Sequence, residues 1–173
     1  MREWREFVRG YILPGVKGDE FWEPRVSKCL EDELDPTGWH LVVFSEPFLT
    51  FVLTGRKRVE SRFGIRRIAP YGKIAVGDTI LIKRSGGPVV GICAVSRVWF
   101  YKLEGGSWDK LRQEYSEALC ADDPDFWKAR RSASYATLME LAWPRAIRPA
   151  TVEKKDRRGW AVLRSPLIQE AQV

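Results

Sequence analysis

A long β run extends from Val89 to Tyr101, entered through the tight connection Ser85-Gly86-Gly87-Pro88. Before it stand shorter extended segments, His40 to Phe44, Lys57 to Phe63, and Ile74-Ala75-Val76 turning through Gly77-Asp78 into Thr79 to Lys83, and after it two more, Ala136 to Leu141 and Gly159 to Leu163. Helical patterns fall between them. Strand, helix, several strands, helices and strands again make an α+β order and imply a mixed, barrel-like sheet. The chain contains no internal repeat and no low-complexity tract.

With 173 residues, one domain carrying a terminal extension is the expected organisation. A chain of this length buries about two-thirds of its unfolded surface in one core. Aromatic residues make up 12% of the chain and are spread along it, which excludes a disordered class. No apolar run approaches the ~20 residues that cross a bilayer, so no membrane partner is expected. The opening Met1-Arg2-Glu3-Trp4-Arg5-Glu6 carries acids and lacks an unbroken apolar stretch, unlike a secretory signal. The expected location is therefore the cytoplasm.

Residues 1–38 read as a helical extension. Trp4, Phe7, Val8, Tyr11 and Ile12 fall on one helix face, and Pro14-Gly15 ends it. A second helix is expected after Pro24, with Val26, Cys29, Leu30 and Leu34 on its apolar side. Asp35-Pro36-Thr37-Gly38 then signals a turn. The main domain spans 39–165, and 166–173 form a tail. Within that domain Ser45 is placed to cap a largely buried helix that ends at Gly55, and Ser107 to cap one running to Cys120. Asp122-Asp123-Pro124 starts a further helix carrying Phe126 and Trp127.

The residue inventory narrows the chemistry. Cys29, Cys93 and Cys120 are odd in number and far apart, so neither a disulfide framework nor a CxxC pair is expected. His40 is the single histidine and enters a strand, a structural position more often than a catalytic one. Zinc hydrolase, Ser-His-Asp and Cys-His chemistries all need an imidazole. No metal or cofactor is expected, and only a reaction built on Lys, Glu, Tyr or Ser stays easy to picture.

The formal charge of +6 is unevenly spread. Residues 1–39 carry six basic and nine acidic side chains, and residues 102–125 carry three and seven. Residues 56–67 hold six basic side chains against Glu60 alone, and residues 145–164 hold seven against two. Converging basic segments would make a positive face for a polyanion, and nucleic acid is the commonest. The alternative is that these cations pair with the acidic segments.

Gly55-Arg56-Lys57-Arg58-Val59-Glu60-Ser61-Arg62 fits GxKxxExR at a helix-to-strand junction. The glycine permits a sharp turn out of the helix. Lys57 offers a point charge and Arg62 a planar fork, both suited to phosphate. Alternation over 57–63 puts Lys57, Val59, Ser61 and Phe63 on one face and Arg58, Glu60 and Arg62 on the other. Glu60 could accept from a base amino group, such as cytosine N4, or simply pair with a neighbouring arginine and hold the cations in place.

Through this motif the sequence resembles the ASCH family, the activating-signal-cointegrator homology domains of the PUA-like superfamily. Val76-Gly77-Asp78-Thr79 is similar to the family's turn into a strand, Phe100-Tyr101 to the aromatic end of its β run, and Arg158-Gly159-Trp160-Ala161-Val162-Leu163 to its closing strand. The resemblance spans about His40 to Leu163 and leaves the N-terminal helices outside. It implies a PUA-like pseudo-barrel of mixed strands with flanking helices, an N-terminal helical extension, and a cleft lined by the motif. It also implies binding of RNA or another nucleic acid, or of a modified nucleoside. Some small members resemble hydrolases, one group removing the acyl group of N4-acetylcytidine and another described as ribonucleases. The deacylating group uses a lysine and a threonine of this motif and a glutamate from a later helix. By position the lysine falls on Lys57, while the threonine falls on Glu60, a departure. Glu117 is the nearest match to the later glutamate, with Glu114 an alternative.

The leading expectation is thus a binding module centred on Lys57, Glu60 and Arg62. Arg58, Arg66 and Arg67 would contact phosphate at its margin, and Tyr71, Trp99 or Tyr101 would stack on a base, unless these aromatics fill the core. Lys83, in Lys83-Arg84-Ser85-Gly86-Gly87, could hold a phosphate or merely close a hairpin. Lys154-Lys155-Asp156-Arg157-Arg158 could extend a basic groove or be a solvated turn. The alternative is a metal-independent hydrolase acting on a nucleoside or RNA, with Lys57 as base or nucleophile and Glu60 or Glu117 carrying the proton. A protein-interaction domain using the acidic helices is the third class considered.

Overall fold

A computed structural model describes residues 2–152 and 158–165. The chain begins with helix α1 (Arg2–Phe7), which passes through a π-helical turn (Val8–Ile12) into the short α2 (Leu13–Gly15). Pro14 has no N–H to offer, so the regular ladder is broken where the wider turn lies. Helix α3 (Trp22–Glu31) starts before Pro24 rather than after it. Its entry is held by Asp19, whose Oδ1 accepts from the Phe21 and Trp22 amides at 3.0 and 2.8 Å. These bonds lower the Asp19 pKa. Because α3 stops at Glu31, Leu34 does not join its apolar face and is 79% exposed.

Among the described residues six strands follow: β1 (Trp39–Phe44), β2 (Val59–Gly64), β3 (Thr79–Arg84), β4 (Val89–Lys102), β5 (Tyr135–Ala150) and β6 (Trp160–Arg164). Helix α4 (Phe48–Leu53) lies between β1 and β2, and α5 (Ser107–Leu119) and α6 (Pro124–Lys128) lie between β4 and β5. The sheet order is β2-β5-β4-β3-β1-β6. Only β1 and β3 pair in parallel; the other neighbours are antiparallel. Bulges between Val89 and Gly91, Ile92 and Ala94, and Val95 and Arg97 bend the long β4–β5 ribbon. The sheet therefore curls into a half-barrel with flanking helices, an α+β fold.

Strand β5 runs nine residues beyond the expected end at Leu141. Pro144 and Pro149 hide that extension from a periodicity argument. They are tolerated because β2 pairs with β5 only across Tyr135–Glu140, leaving the rest of that side without a ladder to supply. Neither expected serine cap forms. Helix α4 is entered at Pro47, with Glu46 Oε2 accepting from the Thr50 amide at 3.1 Å. The Ser107 hydroxyl instead turns back onto the Glu104 backbone. Of the apolar residues in α4, only Leu49 and Val52 are fully buried, and Phe48 stays half-buried.

The N-terminal helices share a core with the sheet: Val8, Ile12, Trp22 and Val26 pack with Trp39, Leu41, Leu81 and Ile92. On the other face α4 packs on β1, β3 and β4 through Leu49, Val52, Ile80, Ile82 and Cys93. The approach is close at Gly91, where a Cβ would stand 2.5 Å from Leu53 Cδ2 and 3.1 Å from the Arg145 carbonyl. A third cluster joins β2 and β5 to α5 and α6 through Val59, Leu138, Leu111, Leu119 and Trp127. Buried His40 lies between two partners, its Nε2 2.9 Å from Asp78 Oδ2 while its Nδ1 accepts from Trp160 Nε1 at 3.2 Å. Asp78 also accepts from the Gly38 and Ala75 amides, both at 2.8 Å. Histidine and turn aspartate thus tie β1, β3 and β6 together.

Candidate functional site

Gly55 ends α4 with φ at 75°, and the chain needs three further residues before β2 begins at Val59. Lys57 lies in that irregular step, its amide donating to the Phe51 carbonyl at 2.9 Å. Strict alternation therefore does not reach it. Its side chain swings to the face of Glu60, with Nζ 3.4 Å from Glu60 Oε2. Glu60 Oε1 lies 2.9 Å from Arg62 Nε. Arg62 Nη2 donates to the Val43 carbonyl at 3.0 Å, fixing the fork against β1.

The three groups differ in access. The side chains of Lys57 and Glu60 are 3% and 8% exposed, whereas that of Arg62 is 25% exposed. Lys57 Nζ also donates to the Leu119 carbonyl at 2.8 Å and lies 5.2 Å from the centre of the Phe48 ring. Burial pushes its pKa below the ordinary lysine value, and the Glu60 carboxylate pulls it part of the way back.

Above this ion triad opens a cavity of about 540 Å³. Phe44, Phe48, Phe63 and Phe126 wall it, Lys57 and Glu60 lie at its base, and Ser45, Arg62 and Arg130 complete it. Arg130 follows α6 and was not singled out by the sequence. Its guanidinium lies 3.7 Å from the centre of the Phe126 ring, and its Nη1 donates to the Phe126 carbonyl at 2.6 Å. Burial lowers its pKa, with the Glu60 charge opposing that shift. The available signal was the Arg130-Arg131 pair just past the aromatic Phe126-Trp127 helix. Three cations thus surround one carboxylate.

A second cavity of about 360 Å³ lies on the other side of Arg62 and shares Arg62 and Phe63 with the first. Tyr71, Tyr135 and Trp160 line it, with Arg66 and Arg158. Arg67 stands over the Tyr71 and Tyr135 rings at 5.8 and 5.2 Å. Arg66, Arg67 and Tyr71 thus gather beside the triad but not in its cavity.

The remaining expected residues lie elsewhere. Arg58, placed by alternation with Glu60 and Arg62, instead faces α5 and pairs with Glu117 at 3.2 Å. It diverges because it too precedes the strand. Glu117 is 93% exposed in that pair and lines neither cavity beside the triad, so the expected Lys57–Glu117 couple is not assembled. Glu114 lines a separate depression with Trp99 and Tyr115. Trp99 packs 5.5 Å from Tyr115, and the Tyr101 and Tyr115 hydroxyls are 3.1 Å apart, so these aromatics serve the α5 interface. Lys83 is buried, its amine spent on the carbonyls of Gly87 and Arg84, and it closes the β3–β4 hairpin. The expected basic turn at Lys154–Arg157 lies outside the described residues. Among the described residues no group of three or more His, Cys, Asp or Glu side chains could hold a metal ion, and no helix is long and apolar enough to cross a membrane.

No family model and no curated protein matches the chain. Solved structures do. The ASCH protein from Zymomonas mobilis superposes with a TM-score of 0.58 at 18% identity, covering 73% of this chain and 87% of that one. A serine-to-alanine mutant of the same protein gives 0.59 at 18% identity, over 75% of this chain and 90% of that one. The fold is therefore that of an ASCH domain, as the junction motif and its flanks implied.

Proposed function

We propose, on the premise that this chain has an ASCH fold, that it binds RNA or a modified nucleotide in the cavity above Lys57, Glu60 and Arg62. The observation that carries the reading is the composition of that cavity: phenylalanine walls and three cations around one carboxylate. Small-molecule sites commonly measure ~300–1,000 Å³, so its volume suits a nucleotide. A base would stack against Phe48 or Phe126, a contact worth ~1–3 kcal/mol. Phosphate would lie on Arg62 and Arg130, the two cations nearer the opening. Both oxygens of Glu60 already face cations, which supports a holding role over the reading of a base amino group.

Titration of fluorescent single-stranded RNA at several salt concentrations tests this. Each phosphate contact contributes about −0.7 to the log–log salt slope. The wild-type protein should bind with a negative slope, and an Arg62→Gln, Arg130→Gln double variant should bind weakly with a shallower one. Equal binding by the two proteins removes the cavity from the interface.

A hydrolase acting on a nucleoside or RNA has one observation in its favour: an amine buried at the base of a cavity with a lowered pKa, a state in which lysine serves as base or nucleophile. Glu60 in place of a hydroxyl, and Glu117 turned to Arg58, stand against the deacylase arrangement. Turnover of N4-acylated cytidine, lost in Lys57→Arg and kept in Arg130→Gln, or cleavage of RNA lost in Lys57→Arg, would establish catalysis. Absence of product on prolonged incubation would dismiss it.

A further inference from the structure

The second cavity has the same chemical character as the first, and Arg62 stands between them. The Arg62 guanidinium carbon is 5.6 Å from the ring centre of Phe44, in the wall of the first cavity. It is also 5.6 Å from the ring centre of Trp160, in the wall of the second. A Cβ at Gly159 would meet Arg62 Nη1 at 2.9 Å, so glycine there leaves room for the fork beside the start of β6. The pairing with Glu60 and the bond to the Val43 carbonyl hold this cation in place. Two aromatic hollows therefore flank one fixed guanidinium, and Arg66 adds positive charge at the second hollow.

We propose that the two cavities receive consecutive nucleotides of one single strand, with the linking phosphate on Arg62. This rests on the reading of the first cavity as a nucleotide site. Bases enter separate hollows only when unstacked and unpaired, which selects single strands over duplexes. Aromatic walls accept any base face, so the pair of sites measures strand continuity more than sequence. The planar fork of arginine suits a phosphate diester.

The test compares 5′-mononucleotides, 5′-phosphorylated dinucleotides and a five-nucleotide strand, in ribo and deoxyribo form, by competition against a fluorescent strand. The dinucleotide should bind roughly ten- to a hundredfold more tightly than the mononucleotide, the increment of one added stacked base. Tyr71→Leu keeps an apolar side chain but removes a ring, and Arg66→Ala alters an exposed residue. Each should lower dinucleotide affinity toward that of the mononucleotide and leave mononucleotide affinity unchanged. Mononucleotide and dinucleotide affinities equal in the wild type would overturn the second site while keeping the first. So would a full dinucleotide advantage in both variants. If no mononucleotide and no strand competes, the nucleotide reading of the first cavity falls, and this proposal with it.

Discussion

Lys57 Nζ donates a 2.8 Å hydrogen bond to the carbonyl of Leu119, the last residue of α5. One amine thereby joins the α4–β2 junction to the end of a helix 62 residues away and faces Glu60 at the base of the cavity. Structure and site depend on the same side chain.

Removing that amine should be costly. Lys57→Met leaves the Leu119 carbonyl without its donor and Glu60 with Arg62 as its remaining ion-pair partner. Breaking a buried pair costs ~3–5 kcal/mol, and the retained Arg62 contact places this variant near the lower end. Lys57→Met, Glu60→Gln should recover part of the loss, because the buried charge goes with its partner. Urea denaturation of the three proteins measures both effects. A single variant as stable as wild type would show that the bridge contributes nothing to folding.

The lowered Lys57 pKa has a definite pH sign. In the unfolded chain the amine titrates near 10.5, and in the folded protein it titrates lower. Between those two values the unfolded state holds more protons, so stability rises with pH. The contribution is fully present above 10.5 and is lost as pH falls through the native value. Relative to Lys57→Met, the wild-type protein should therefore gain stability as pH is raised toward 10.5. Chemical denaturation of both proteins across that alkaline range reads it; a difference that is flat or reversed rules the shift out.

Asp78 should be less replaceable than its place in a Gly-Asp turn suggests. Its carboxylate takes the Gly38 and Ala75 amides and faces His40, all in buried or half-buried surroundings. Each buried group left without a partner costs ~1–3 kcal/mol, so Asp78→Ala should lose more than ~3 kcal/mol in stability. Thermal or urea unfolding gives the number, and a loss under ~1 kcal/mol would mean the network is dispensable.

Arg130 separates a phosphate contact from a structural one. Arg130→Gln should weaken RNA binding and reduce the magnitude of the log–log salt slope by about 0.7, one phosphate's share. Its melting temperature should stay close to that of the wild type, since the side chain rests on the edge of α6. An unchanged slope would place this arginine outside the interface.

Much of the architecture follows from neighbours in sequence. Gly55 ends a helix, Gly77-Asp78 turns into β3, and the β4 run is a nearly continuous apolar stretch entered through a Gly-Gly-Pro turn, all of which are local properties of backbone and side chain. The junction motif is legible for the same reason, since its glycine, lysine, glutamate and arginine lie within eight residues. The proline-bearing half of β5 was not legible. Its extended course is maintained by pairing with β4, a contact between distant segments.

The site divides along the same line. Sequence alone determined that Lys57, Glu60 and Arg62 would be close, because a short peptide cannot separate them far. Only the tertiary structure decided that Lys57 would turn to Leu119, that Arg58 would leave for Glu117, and that Lys83 would bend into its own hairpin. It also brought Arg130 and Phe126 over the triad, and Trp160 beside Arg62 from almost a hundred residues away. The physical reason is that a long cationic side chain reaches in many directions, and the partner that desolvates or neutralises it is supplied by packing rather than by the local chain.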